Sequence, residues 1–192
     1  MSRLTRLFLF FLAIELIMFG SISSINFKSQ LILNSFMTLR SSIVSQPFPL
    51  EVLAIFSHNL VVATLDLVPA LGVAVFLFSM GSTAYVLSVI SQGKGLEAFL
   101  GLLALPHSWL ELPAYAIAAA GSLNFLMTEG SLISKLRKLT LIWLFIAFEL
   151  LVAALFEASE INLSLPFQVI LWLPAAASIF ALWKLYSRVM RI

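Results

Sequence analysis

The sequence predicts an all-α protein: a polytopic transmembrane bundle of about six spans, with one surface amphipathic helix and one short interfacial or re-entrant helix. Three observations predict it. Of 192 residues, 61% are apolar and only 10% charged, against about 45–50% and about 25% in soluble domains. The mean hydropathy is +1.08, more apolar surface than one globular core of this length can hide. Finally, the apolar residues fall into runs near the roughly 20-residue length that crosses a bilayer. A water-soluble enzyme, a disordered chain and a disulfide-stapled domain are excluded. With no cysteine, thiol catalysis and thiolate metal sites are excluded as well. No basic run interleaved with aromatics points to nucleic acid. Residues 1–192 read as a single membrane domain whose first partner is the lipid bilayer.

The first span, 7–25, follows Arg3 and Arg6. A basic head before an apolar run also suits a secretory signal, but Glu15 inside the run argues for an uncleaved helix. Between Asn26 and Pro49, Ile32, Phe36, Leu39 and Ile43 recur at helical spacing among polar residues. That is the pattern of an amphipathic helix lying on the membrane surface or against the bundle. The prolines at 47 and 49 end it. A double-length apolar stretch then breaks at Asp66-Leu67-Val68-Pro69-Ala70-Leu71-Gly72, where Pro69 and Gly72 permit a reversal. This gives spans 52–67 and 70–90.

The run Leu96–Leu105, ended by Pro106, rises about 15 Å as a helix, half the hydrocarbon thickness, and so cannot cross alone. The fourth span is 107–127; Pro113 near its start frees a backbone carbonyl. Spans 139–157 and 166–186 complete the count. With both tails on one side, that side collects Arg3, Arg6, Lys135, Arg137, Lys138, Lys184, Arg188 and Arg191, and the other Lys28, Arg40 and Lys94. The excess places both termini in the cytoplasm of a cell-membrane protein.

An ionisable group in hydrocarbon costs about 2.5–3.5 kcal/mol on insertion scales, so each must face the protein interior or water. The candidate intramembrane polar cluster is His107, Glu111, His58, Asn59, Glu149 and Glu157. His107 and Glu111, four apart, share one helix face; Glu149–Ala153–Glu157 and Asn59–Ala63–Asp66 repeat the pattern. Ala114, Ala118, Gly121 and Ser122 give the fourth span a small-residue packing face. Pro106, Pro113 and Pro69 are the helix breaks. His58, His107 and Glu111 are candidate metal ligands, although the His-Glu-xx-His pattern of metalloproteases is absent. No cofactor is expected. Ser108 beside His107 points about 100° away around a helix, which weakens a nucleophile–base reading.

The segment Leu105-Pro106-His107-Ser108-Trp109-Leu110-Glu111-Leu112-Pro113-Ala114 resembles the hallmark proline–histidine … glutamate–leucine–proline–alanine segment of the stage II sporulation protein M family. Ile55-Phe56 with Asn59, Pro69-Ala70-Leu71-Gly72 with Gly81, and Ala153-Ala154-Leu155-Phe156-Glu157 resemble further family pieces in order. Ser108 stands where the family carries glycine. The resemblance implies a non-enzymatic membrane scaffold or anchor for a cell-envelope complex, with membrane or envelope protein partners doing the chemistry. A homo-oligomer is compatible with the small-residue face. From the residues alone, a small-solute, ion or proton transporter or channel built on the His/Glu cluster is the alternative, and an intramembrane metal-dependent hydrolase a third.

Overall fold

Helix after helix follows from caps, breaks and apolar runs. The computed structural model describes residues 1–189, apart from the side chains of 165 and 166; Arg191 lies outside the described residues. Nine helices and no strands occur among them. Six helical segments are long and apolar enough to span a bilayer, and the chain is a multi-pass, all-α membrane protein.

α1 (Arg3–Ser23) is capped by Ser2, whose hydroxyl accepts from the Thr5 amide at 3.1 Å. The linker behind it is tied down by Ser88, whose hydroxyl accepts from the Phe27 amide at 3.1 Å and donates to the Ile25 carbonyl. α2 (Gln30–Val44) is the amphipathic helix and has no buried residue. α3 (Phe48–Asp66) begins four residues earlier than the expected Val52. Pro49 falls in its first turn, where the missing N–H would have had no partner anyway, so proline there starts a helix.

The reversal to α4 (Gly72–Ile90) carries Ala70 at φ 72°. Gly72 is forced by contact: a Cβ there would sit 1.9 Å from the Asp66 carbonyl oxygen. α5 (Gly95–Leu103) is the short helix. α6 (Ser108–Met127) keeps Pro113 inside it. α7 (Leu132–Asn162) is longer than the expected 139–157, with 31 residues and a length of about 46 Å. Ser131 caps it. Lys135, Arg137 and Lys138 continue the helix because they are good helix formers. The last span is divided into α8 (Leu165–Ile170) and α9 (Trp172–Val189).

α6 is the central element. Every residue from Ala114 to Ser122 is buried, because alanine, glycine and serine let α1, α3, α4 and α7 approach closely. The expected packing residues Ala114, Ala118, Gly121 and Ser122 all lie in this stretch. A Cβ on Gly121 would come within 2.7 Å of the Leu67 side chain, and the Ser122 hydroxyl donates to the Val68 carbonyl at 2.8 Å. Around α6 the apolar core continues through Phe11, Phe76, Ile117, Ile146 and Leu150.

Candidate functional site

The break between α5 and α6 builds the site. A short helix ending inside a bundle leaves carbonyls that need partners. The Ser108 hydroxyl donates to the Leu102 carbonyl at 2.8 Å. The indoles of Trp109 and Trp172 donate to the carbonyls of Leu103 and Ala104 at 2.8 and 3.1 Å. Ser108 thus closes the end of α5, and its Oγ is 3.4 Å from His107 Nε2. Pro106 and His107 are thereby held at the start of α6, both buried.

His107 meets α7. Its Nδ1 pairs with Glu160 Oε2, and its backbone N–H donates to Glu160 Oε1 at 3.3 Å. One turn along α6, Glu111 accepts a hydrogen bond from the buried Asn59 amide of α3. Glu157 completes the group: His107, Glu111 and Glu157 each offer an atom within 4.8 Å of the others. Three stretches that are far apart in sequence (59, 107–111 and 157) therefore converge at one end of the bundle. That end is the one carrying α2, α5 and α8.

Two expected members do not join them. His58 is exposed. Consecutive helical residues point about 100° apart, so turning Asn59 inward turns His58 outward. Glu149 is buried but lies in a separate pocket with Phe8, Trp109, Pro113, Phe145 and Tyr186. It is eight residues before Glu157, about 12 Å down the helix and rotated by about 80°. His58 is accordingly withdrawn from the candidate metal set.

Sequence reasoning missed three groups. Glu160 is one helical turn beyond Glu157, a spacing that could have suggested it. Glu51, nearly fully buried, accepts from the Asn162 amide at 2.7 Å and joins the ends of α3 and α7. Arg40 of α2 lines a cavity of about 440 Å³ together with Ile43, Leu105, His107, Glu157, Glu160 and Gln168. α2 thus covers the mouth of the site and presents the one cation among those lining residues besides a protonated His107.

The spacing of His107, Glu111 and Glu157 suits a small cation. Two of the three, however, already have protein partners, Glu160 for His107 and Asn59 for Glu111. The arrangement can order carboxylates, pass a proton between close groups, and present a polar mouth to a partner. No family model, curated protein or solved structure matches the chain.

Proposed function

We propose that the protein is a non-enzymatic organiser of a cell-envelope assembly, of the kind the stage II sporulation protein M resemblance implies, and that partners engage it at the α2 end. One observation carries this reading. Three of the four sequence pieces of the resemblance supply Asn59, His107, Glu111 and Glu157, and these meet at a single site. A motif scattered over α3, α6 and α7 is expected to converge if it serves one purpose. The covering helix α2 has no buried residue, so a partner could pack on it without unmaking the bundle.

Orientation belongs to the same reading. Arg3 donates to the Met127 carbonyl, so the start of α1 and the end of α6 share one end, and Lys135, Arg137 and Lys138 open α7 just beyond. That basic end is cytoplasmic, which leaves the site on the outer face of the cell membrane.

The experiment is recovery of a tagged chain after cross-linking in its native membranes and mild solubilisation. At least one membrane or envelope protein is expected in constant ratio. Arg40→Glu, at the mouth, is expected to lose that partner while the variant remains monodisperse. Recovery of the chain alone, with or without cross-linking, would overturn the proposal.

A further inference from the structure

Below the site, deeper in the bundle, stand two carboxyl groups that the proposed function does not use. Glu15 of α1 and Asp66 of α3 have 0% exposure, and all four of their carboxyl oxygens lack a hydrogen-bond partner among the described residues. Buried polar groups are ordinarily paired. Glu149 also has a buried oxygen without a partner but stands apart in its own pocket. Glu15 and Asp66 share one core, with Ser79 of α4 beside Asp66, and together they point to something that visits them.

Their placement is ordered. Asp66 ends α3, and Asn59, which holds Glu111, stands two turns back on the same helix. Tyr115 is one turn below Glu111 on α6, and Gly72, packed on Asp66, also contacts Ser122 two turns further down. Glu15 lies on the buried α1 face between Phe11 and Phe19, and Phe11 packs edge-on against Phe76, one turn above Gly72. Glu15 therefore occupies the level between Asp66 and Glu111. The charged groups within its electrostatic reach are Asp66 and Glu111, and Tyr115 lies in the field of Glu15, Asp66, Glu111 and Glu157. On the other helices packed against α1, Tyr85 of α4 packs on Phe27 and Glu97 of α5 is exposed. No base enters this set below His107.

We propose that Glu111, Glu15 and Asp66 form a proton path through the bundle, from the cavity under α2 to the α3–α4 turn, and that the protein passes protons along it. The proton is the ligand that suits these two sites, because it neutralises a carboxylate in a medium of low dielectric. These carboxyl groups are not hydrogen-bonded to one another, so each transfer runs through a water that enters between them. An O–H bond breaks on one carboxyl and forms on the water, and one of the water's own O–H bonds breaks as its proton passes to the next carboxylate. Nothing is oxidised or reduced, and an imposed pH difference supplies the direction. His107, Glu157 and Glu160 line the entry cavity, and Asp66 lies where α3 gives way to the exposed residues Val68 and Ala70.

The test uses the full chain in liposomes containing a pH-sensitive dye, in potassium buffer with valinomycin to clamp the potential and no sodium. The expected result is dissipation of a pH step at least about tenfold faster than in protein-free vesicles. Glu15→Gln and Asp66→Asn should each return the rate to the protein-free value, and Glu15→Asp should restore part of it. Glu149→Gln, a buried acid outside the path, should keep the wild-type rate. Each variant is scored only against its own reconstituted, monodisperse protein, and the wild-type rate stands as a test by itself. A wild-type rate equal to that of empty vesicles, a rate that requires added sodium, or an undiminished rate in Glu15→Gln would overturn the proposal.

Discussion

Gly72→Ala tests whether the α3–α4 reversal is as tight as it looks, because the added methyl has nowhere to go. It would stand 1.9 Å from the Asp66 carbonyl oxygen and 2.8 Å from Ser122 Oγ. Real side chains essentially never come within 3.0 Å of such atoms, so the start of α4 must retreat from α3 by about 1 Å. The first obstacle is backbone and cannot rotate away. Overpacking of this kind costs about 1–3 kcal/mol; with a backbone oxygen in the way, about 3 kcal/mol is the expected loss. At about 2–4 °C per kcal/mol for a chain of this size, that is a fall in Tm of about 6–12 °C. Gly101→Ala is the matched control, since nothing lies within 4 Å of its added carbon. In that exposed position of α5 the same change should gain up to about 1 kcal/mol through helix propensity. Thermal unfolding in one detergent, followed by tryptophan fluorescence, reads both. A Gly72→Ala protein that melts with the wild type would show the reversal to be looser than described and would refute the reasoning.

Removing the Asn59 amide by Asn59→Leu should cost about 1.5–3 kcal/mol, and in a double-mutant cycle with Glu111→Gln the two effects should be non-additive; strict additivity in denaturation midpoints would deny the contact. His58→Ala should change stability by no more than about 0.5 kcal/mol, as for an exposed surface position, whereas His107→Ala should lower Tm by several degrees by stranding Glu160; equal effects would contradict the placement of His58 outside the site. Chelator treatment should leave Tm unchanged, because His107 and Glu111 already have protein partners; a clear drop restored by added zinc would make the group a metal centre. Glu15→Leu should raise Tm, since it removes a buried carboxyl that pairs with nothing and replaces it with an apolar group of similar size.

The spans were legible because apolar runs and proline or glycine breaks are one-dimensional signals. The six spans, the short α5 and the reversal at Pro69–Gly72 could be read from them directly, but the division of the last span into α8 and α9 could not. Helix ends were less legible. Pro49 reads as a stop but falls in a first turn, and the basic cluster Lys135–Lys138 reads as a loop but continues α7. Helix facing was the weakest part. In lipid the outward face is as apolar as the core, so hydrophobic periodicity does not say which side of α3 points inward. His58 and Asn59 are adjacent, and only packing decides between them. The pairing of Glu160 with His107 depends on the depth of α7 relative to α6, which no spacing within either helix encodes.

The acids differ in what they touch. Glu51, Glu111 and Glu160 are each bonded to a side chain on another helix, and such bonds hold helices in register. Glu15 holds nothing together and Asp66 has only Ser79 beside it, yet burying a carboxyl costs free energy whether or not it is charged. A bundle selected for stability alone would place an apolar side chain there, as it does at neighbouring Phe11, Ala63 and Leu67. A rise in Tm for Glu15→Leu accompanied by loss of proton flux would show the acid to be held against stability for what it carries. A fall in Tm would instead make Glu15 a structural partner not seen among its contacts. The two measurements on one variant therefore distinguish a path from a brace, independently of whether any envelope partner is recovered at α2.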